Sequence, residues 1–334
     1  MLGTLPLCSY RTSLAPYAGI EGSSLPSRRA IFVYFDGCEV LDFAGPLQAF
    51  VEANSFGADY CVEHCAVVPE ATTSQGLKLS GLEPLPAIAT DDLVVVPGFT
   101  VAKVHLPPRL IRWLKTSYDN GAQICSVCTG SFALAQAGLL KDRRCTTHWK
   151  CIGELRKLCL SAQVLADRLF VEDGRIISSA GIAAGIDMAL ALIERDHGPL
   201  ITAKVAREMV VYMRRDSHHQ QQSVYLDYRT HLHPGVHSVQ DWLTSHPSQK
   251  ANIKELAKIA HMSSRNLTRA FREVTGVSIQ NYRTRLRLEH ARTLMSNPEL
   301  TLEAIAGECG FADARQFRRV WRGAYDFAPS RARQ

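Results

Sequence analysis

The sequence predicts two domains of different class: a doubly wound parallel α/β sheet, followed by an all-α domain with two helix-turn-helix units. Three observations support this prediction. Short apolar strands alternate with helical segments before residue 200, which is typical of a parallel sheet covered by helices on both faces. A helix-turn-helix pattern then occurs twice after residue 250. Basic charge is concentrated in the same region, and 334 residues are enough for two domains.

The charge of the chain is unevenly distributed. Residues 250–334 contain 16 of the 38 Lys and Arg residues but only 8 of the 32 Asp and Glu residues, so this segment carries +8. Such clustering is the electrostatic footprint of a nucleic-acid-binding domain. The overall composition is ordinary for a globular protein, with 46% hydrophobic residues. No apolar run reaches the ~18 residues of a membrane span, so we expect no membrane contact.

The cysteines and the chain segments outside the two domains indicate the setting of the protein. Ten cysteines lack the spacing of a disulfide framework, which predicts reduced thiols and a cytoplasmic location. Residues 1–28 lack the features of a secretory signal, and we expect a flexible leader there. The predicted domains are 29–200 and 239–334, joined by a polar linker over 201–238. A metal site among the histidines near this linker is the alternative, but their spacing fits no compact ligand set.

In the first domain, residues 30–35, 93–96 and 123–127 are apolar runs of strand length. Helices are predicted over residues 46–53, beginning at a proline, and over residues 131–137. Ligands of parallel sheets of this kind bind at the carboxyl ends of the strands.

Cys128 occupies such a position, because it follows one strand and opens a helix. Gly130 close behind permits a tight turn. A thiol at a helix N-terminus is expected to have a lowered pKa and a polarised pocket around it. The alternative is that Cys128 is one of several buried cysteines, as we expect for Cys125 on the same strand.

Two segments of the second domain repeat each other, residues 256–271 and 305–321, with one extra residue in the second copy. Each copy can place one helix in a DNA major groove. The apolar positions align in pairs: Ala257 with Ala306, Met262 with Phe311, Leu267 with Phe317, and Phe271 with Trp321.

Local signals predict where the helices of this domain begin and end. Asn252 with Glu255 predicts a capping box at the first helix. A turn over 261–263 follows, and Gly276 is expected to cap the next helix in the left-handed conformation. Gly310 supplies the turn of the second unit.

The outward-facing side chains of the two predicted recognition helices are polar or cationic. A planar guanidinium can make two hydrogen bonds to guanine, so arginine suits base recognition. Residues early in such a helix reach bases, whereas Arg272 and Arg322 are expected to meet phosphates. The alternative is a helical bundle with ordinary surface arginines. The predicted DNA-contacting residues are Ser264, Arg265, Thr268, Arg269, Arg272, Arg315, Arg318, Arg319 and Arg322.

The repeated pattern is accompanied by Gly276-Val277-Ser278 and Tyr282-Arg283 after its first copy. Through these residues the chain, from about residue 239 onward, resembles the AraC/XylS family of transcription regulators. That family has two helix-turn-helix units joined by a long helix. One position departs from the pattern: Asp326 stands where the family usually has glycine, although Asp tolerates the left-handed conformation better than most residues.

Six short motifs occur in order through the first domain: Leu41-Asp42-Phe43-Ala44-Gly45-Pro46, Val96-Pro97-Gly98, Cys125-Ser126-Val127-Cys128-Thr129-Gly130, Thr146-Thr147-His148-Trp149, Ser178-Ser179-Ala180-Gly181 and Gly185-Ile186-Asp187. Through them residues 30–197 resemble the PfpI group of class I glutamine-amidotransferase-like proteins, which implies a flavodoxin-like fold. Together with the C-terminal half, this is the architecture of GlxA-type AraC regulators.

The resemblance also assigns site residues. Cys128 matches the family's elbow cysteine, Asp42 the acidic residue beside that sulfur, and His148 the histidine downstream. Phe99 stands where catalytic members often have a second glycine, so we expect it to narrow or reshape an anion-binding loop. In a regulator the same pocket would hold an effector. The residues expected to line it are Asp42, Gly98, Phe99, Cys128, Thr129 and His148.

The leading hypothesis from the resemblance is a cytoplasmic, sequence-specific transcription regulator controlled by a small-molecule effector. The resemblance implies a homodimer that binds promoter half-sites in double-stranded DNA and acts with RNA polymerase as an activator. It further implies a role in the catabolism of a nitrogenous metabolite. No cofactor or metal is expected.

Two alternatives stay open. One is an enzyme, a hydratase or amidase using Cys128 and Asp42, since isonitrile hydratases resemble the chain at Asp42 and at Cys128-Thr129. The other is an architectural DNA-binding protein whose first domain only dimerises. That alternative predicts no ligand-dependent change in thermal stability, whereas a bound effector would stabilise the fold.

Overall fold

The computed structural model describes residues 28–211, 215, 221, 228–295, 297–325 and 327–333, apart from the side chains of residues 331 and 333. The predicted leader, except for Arg28, and Asp326 lie outside the described residues. The chain divides into two compact units, residues 1–221 and 222–334. Within the described part of the chain, no helix combines the length and apolar character needed to cross a membrane.

The strands of the first unit are β1 (Arg28–Tyr34), β2 (Tyr60–Ala66), β3 (Glu70–Thr72), β4 (Lys78–Ser80), β5 (Glu83–Pro84), β6 (Leu93–Val96), β7 (Gln123–Val127), β8 (Arg144–Cys145), β9 (Gln163–Val164), β10 (Phe170–Asp173) and β11 (Ile176–Ser179). Seven of them form one sheet in the order β10-β11-β7-β6-β1-β2-β5. Every neighbouring pair in it is parallel except β10 with β11. Strands β6 and β7 are buried along their whole length, as expected when helices cover both faces. The predicted doubly wound parallel sheet is thereby confirmed.

The helices of the first unit are α1 (Val40–Ser55), α2 (Pro108–Asp119), α3 (Ser131–Gln136), α4 (Ile152–Leu158) and α5 (Ile182–Glu208). Helix α1 was predicted to start at Pro46, and this was wrong. Proline favours the first turn of a helix because it has no N–H to donate, but Pro46 lies in the second turn. There it leaves the backbone carbonyl of Asp42 without its usual helical donor.

Two glycines let α1 and α5 approach each other and the sheet closely. A side chain at Gly45 would place its Cβ 2.8 Å from Cγ1 of Ile186, and one at Gly185 would lie 2.9 Å from Cγ1 of Val127. Such distances are too short for a real contact. This packing brings the first turn of α1 next to the carboxyl end of β7.

The predicted linker, residues 201–238, is helical at both of its ends, which corrects that part of the sequence analysis. Helix α5 breaks at Gly198, whose φ is +82°, and resumes at Pro199 to run to Glu208. The next helix, α6 (Pro234–Ser245), begins with a proline and is capped by the His233 side chain. The five histidines and three consecutive glutamines of this segment are typical of a linker. Its one proline, Pro234, lies at the first position of a helix, where proline is favourable.

The second unit continues with α7 (Ile253–Ile259), α8 (Ser264–Thr275), α9 (Ile279–Met295), α10 (Leu302–Glu308) and α11 (Ala314–Ala324). The capping box of Asn252 and Glu255 is confirmed, as is the left-handed cap at Gly276. Two helix-turn-helix pairs result, α7–α8 and α10–α11, joined by α9. Each pair has its own apolar core, and α9 contributes to both.

Candidate functional site

Cys128 sits at a sharp turn where β7 passes into α3. Its φ is +56°, a left-handed conformation that costs a residue with a side chain about 1 kcal/mol or more. Gly130 makes the turn possible, because a Cβ there would lie 2.9 Å from the carbonyl oxygen of Pro97. The strained turn places Cys128 at the carboxyl end of β7, as the strand-to-helix position predicted, and close to Gly98, which lies after β6.

Asp42 lies beside this thiol and is fully buried in the first turn of α1. Its Oδ2 accepts a hydrogen bond of 3.1 Å from the backbone N–H of Gly98, while its Oδ1 has no hydrogen-bond partner. Gly98 leaves no room for a side chain, since a Cβ would lie 2.9 Å from both the Cβ of Cys128 and Oγ1 of Thr129. Three separate elements therefore converge on one polar point.

Burial dominates the electrostatics of this pair. It raises the pKa of Asp42 to about 7, although hydrogen bonds from Gly98 and the Cys128 thiol oppose the shift. Burial and the adjacent Asp42 raise the pKa of Cys128 to about 12. The expectation of a lowered thiol pKa was wrong, because desolvation and a neighbouring carboxylate outweigh the helix N-terminus. The thiol is protonated at neutral pH and is a weak nucleophile.

Thr129 and Phe99 lock the loop after β6 against the elbow. The Phe99 backbone N–H donates to Oγ1 of Thr129 at 2.7 Å, and that hydroxyl donates back to the Phe99 carbonyl at 2.6 Å. The Phe99 ring is buried against Phe35, with ring centroids 5.6 Å apart. The Phe99 N–H is thus engaged within the protein, and its ring packs in the core.

His148 reaches the same place from the loop after β8. A Cβ at Gly181 would lie 3.3 Å from Cδ2 of His148 and 3.9 Å from Sγ of Cys128, so these three residues adjoin. Burial, with a smaller effect of Lys150, lowers the pKa of His148, which leaves a neutral imidazole at pH 7. The neighbouring Trp149 is about half exposed, and its ring lies next to that of His148, with centroids 5.7 Å apart.

Sequence reasoning did not single out two residues that hold the elbow. The Thr147 hydroxyl donates to the Cys128 carbonyl at 3.0 Å, and the Ser131 hydroxyl donates to the same carbonyl at 3.2 Å. Thr147 lies in one of the quoted motifs, but only the fold reveals its contact. Gly181, in another of the motifs, has no side chain, which leaves room for the ring of His148 beside it.

The predicted recognition helices are α8 and α11. Leu267 and Phe271 of α8 are buried, as are Phe317 and Trp321 of α11. The opposite faces carry the arginines predicted to contact DNA, and all seven are exposed. Thr268 is also exposed, whereas Ser264 is half-buried.

Most of these arginines have no ion-pair partner within the described residues. There, Arg318 alone among the seven pairs with an acid, at 3.9 Å from Glu303. Their charge is therefore available to an external polyanion.

The histidines near the predicted linker form no metal site among the described residues, where no group of three or more His, Cys, Asp or Glu side chains is suitably placed. His218 and His219 lie outside those residues.

Two family models match the chain. The DJ-1/PfpI family matches residues 28–195, and a helix-turn-helix domain family matches residues 256–334. The first match spans half of the chain and contains the elbow, and the second contains both recognition helices.

Individual proteins resemble the chain over most of its length. The HTH-type transcriptional regulator CdhR of Pseudomonas aeruginosa is 31% identical over 308 residues, which cover 90% of each chain. The HTH-type transcriptional regulator GbdR of the same species is 29% identical over 97% of this chain and 88% of its own. A solved structure of a ThiJ/PfpI family protein from Pseudomonas syringae matches the fold with a TM-score of 0.51 at 21% identity, covering 64% of this chain and 88% of that one.

These matches agree with the elbow, the parallel sheet and the paired helix-turn-helix units described above. They also favour a regulator over the hydratase alternative. The chain belongs to the family of HTH-type, DNA-binding transcriptional regulators that join a DJ-1/PfpI domain to an AraC-type helix-turn-helix domain.

Proposed function

We propose that this protein is a cytoplasmic transcription activator whose DNA binding is controlled by a small polar effector held beside Asp42 and Cys128. The observation that supports the proposal most directly is the unpartnered Oδ1 of fully buried Asp42. A buried polar atom without a partner costs free energy, and an effector with a hydrogen-bond donor would remove that cost. We propose that Gly98, Thr129 and His148 line the same site and that Phe99 shapes it through its backbone, because the Phe99 N–H and carbonyl are bonded to Thr129 and its ring is buried against Phe35.

The chemistry of the pocket favours binding over turnover. A thiol with a pKa of about 12 is protonated at neutral pH, so attack on the effector is disfavoured. Asp42, with a pKa of about 7, can present either a carboxylate or a carboxylic acid. It can therefore accept a hydrogen bond from the effector as a carboxylate or donate one to it as a carboxylic acid. By family resemblance, the effector is a nitrogenous metabolite whose catabolism the regulator controls.

Control of transcription requires that the effector bind two arrangements of the protein with different affinity. We infer a homodimer in which the first unit mediates association. Two recognition helices in each chain then contact promoter half-sites in double-stranded DNA. Effector binding would favour the arrangement that fits those half-sites and that contacts RNA polymerase.

DNA recognition is tested by enriching genomic fragments on the purified protein at physiological salt. The wild type should recover one or a few sites. Arg269→Ala and Arg318→Ala should each weaken binding to them by about 1–3 kcal/mol, because each removes one guanidinium from a recognition helix. Arg112→Ala, which removes an exposed arginine from α2 in the other unit, should bind normally. Weak, salt-sensitive retention without sequence preference would refute specific recognition.

Effector binding is tested by thermal unfolding of the full chain with a panel of small amines, amino acids and amides. A specific effector at 100 times its Kd stabilises the folded unit by about 2.7 kcal/mol. The shift should disappear in Asp42→Asn if the effector donates to the carboxylate. Turnover of any stabilising compound that Cys128→Ala abolishes would instead support the hydratase alternative.

A further inference from the structure

Arg287 lies at the border between the two helix-turn-helix units and is 9% exposed. It sits on α9 between Leu286, which belongs to the apolar core of the first pair, and Leu288, which belongs to the core of the second. A buried guanidinium between two separate apolar cores requires an explanation, because removing an ion from water costs several kcal/mol.

The Arg287 guanidinium forms hydrogen bonds with the loop that connects α6 to α7. Its Nε donates to the carbonyl of Pro247 at 2.9 Å, and its Nη2 donates to the carbonyl of Gln249 at 3.4 Å. One helical turn away on α9, Nη1 of Arg283 donates to the carbonyl of Ala251 at 3.1 Å. Two arginines of α9 therefore hold three carbonyls of the loop that leads into the first helix-turn-helix pair.

The turn of the second pair packs against the same place. A Cβ at Gly310 would lie 2.6 Å from Nη2 of Arg287 and 2.7 Å from the carbonyl oxygen of Ser248. Gly310 also has a φ of +72°, which a residue with a side chain adopts at a cost. The absence of a side chain thus leaves the room that the guanidinium occupies.

The surroundings of Arg287 are dipoles rather than acids. Within the described residues it forms no ion pair, and burial together with Arg283 lowers its pKa, while Cys309 slightly opposes the shift. A planar guanidinium donates along fixed directions, so its hydrogen bonds to carbonyls fix the relative orientation of the groups they join. Carbonyl dipoles compensate the positive charge of Arg287 less well than a carboxylate would. The arrangement is therefore better suited to setting geometry than to adding stability.

We infer that Arg287 is a positioning residue that fixes the second recognition helix relative to the first, and so sets the spacing of the two DNA elements that one chain reads. The inference rests on the proposed function, in which both α8 and α11 contact DNA. Without Arg287, α9 still joins the two pairs, but the loop of residues 246–252 and the turn at Gly310 lose their common partner.

The experiment uses the full chain and a labelled duplex that carries an enriched genomic site, together with duplexes lengthened by one and by two base pairs between the two elements. Each added base pair moves the elements ~3.4 Å apart and rotates them around the helix. The wild type should lose affinity about tenfold or more on the first insertion. Arg287→Met should bind the native spacing about tenfold more weakly and lose less than about threefold on insertion.

Arg285→Met is the matched control, because it removes an exposed arginine from the same helix. It should keep the wild-type penalty for insertion. If Arg287→Met does not fold, Arg287→Lys replaces it, since lysine keeps the charge but cannot reach both the Pro247 and Gln249 carbonyls as a fork. Its insertion penalty should also fall.

Two outcomes would overturn the inference. One is a full insertion penalty in a folded Arg287 variant, which would give the residue only a structural role. The other is a wild-type protein that binds its site selectively but tolerates every spacing. A wild-type protein without selective binding to any site would instead refute the proposed DNA recognition, so the two failures are distinguishable.

Discussion

The two units of this protein each bury an ionisable side chain, and they treat it in opposite ways. Asp42 in the first unit is fully buried and leaves one carboxylate oxygen without a partner. Arg287 in the second unit is nearly as buried, but it donates to two backbone carbonyls of one loop. Within the described residues, neither side chain forms a hydrogen bond with a group of opposite charge.

This difference separates a binding site from an architectural contact. The unmet hydrogen-bonding capacity of Asp42 makes it a place where an added molecule can gain free energy. Arg287 instead donates to two backbone carbonyls within the protein, so the residue orders the chain around it. Burial of an ionisable group is thus informative only together with the count of its partners.

The largest effect that would sharpen this comparison is expected from Asp42→Asn. The pKa of Asp42 is raised by burial from 3.8 to about 7, so between these values the folded state binds more protons than the unfolded state. The free energy of unfolding therefore falls as pH rises from about 4 to about 7. Asparagine cannot ionise, so at pH 8 Asp42→Asn should be more stable than wild type, by up to about 4 kcal/mol.

This prediction is measured by urea unfolding at pH 5 and pH 8, with hydrogen exchange of β6 and β7 reporting on the first unit. Asp196→Asn is the control of opposite sign. Although burial opposes it, the ion pair with Arg28 lowers the pKa of Asp196, so its contribution is lost only at acid pH. That variant should be less stable at both pH values and keep the wild-type slope. An unchanged slope in Asp42→Asn would show that Asp42 stays ionised in the folded protein.

The same comparison shows what could be predicted from sequence. The helix-turn-helix units were predictable because their signals are local: the capping box at Asn252, the left-handed cap at Gly276 and the alternation of apolar and arginine positions. The strands β6 and β7 were equally accessible as short apolar runs. The fold class of both units followed from these signals.

The remaining features depend on contacts between distant residues. The closeness of Asp42, Gly98 and Cys128 was expected only from family resemblance, because three elements converge there. The pKa of Cys128 was predicted with the wrong sign, since its local position reveals the helix N-terminus but not the burial. Arg287 has no local signal in the sequence, because only the fold buries this helical arginine and places Gly310 beside it.

A smaller effect is expected from substitutions at the turn of each helix-turn-helix unit. Gly310→Ala should lower the free energy of unfolding of the second unit by about 2 kcal/mol, because φ is positive there and the new Cβ meets Arg287 and the Ser248 carbonyl. His261 occupies the equivalent turn of the first pair with a φ of +55° and is exposed. Histidine tolerates the left-handed region better than most residues, and glycine also adds freedom to the unfolded chain. His261→Gly should therefore change stability by less than about 0.5 kcal/mol.

Urea unfolding followed by hydrogen exchange of α9 measures both variants. Similar small effects at the two positions would mean that the Gly310 turn can shift away from Arg287. In that case the close packing of Gly310 on the Arg287 guanidinium would not be what orders the border between the two helix-turn-helix units. The contrast between Arg287 as an architectural contact and Asp42 as a binding site would then weaken.

The smallest effect concerns the strained turn at Cys128, where a residue with a side chain occupies a left-handed conformation like that of Gly310 in the second unit. Cys128→Gly and Cys128→Ala both remove the thiol, so the difference between them isolates the backbone strain at φ +56°. Glycine adopts this conformation without a steric penalty, and Cys128→Gly should be more stable than Cys128→Ala by about 1 kcal/mol in urea unfolding. Equal stabilities would mean that the elbow relaxes once the thiol is gone, so that the contact with Asp42, rather than the turn, holds Cys128 in place.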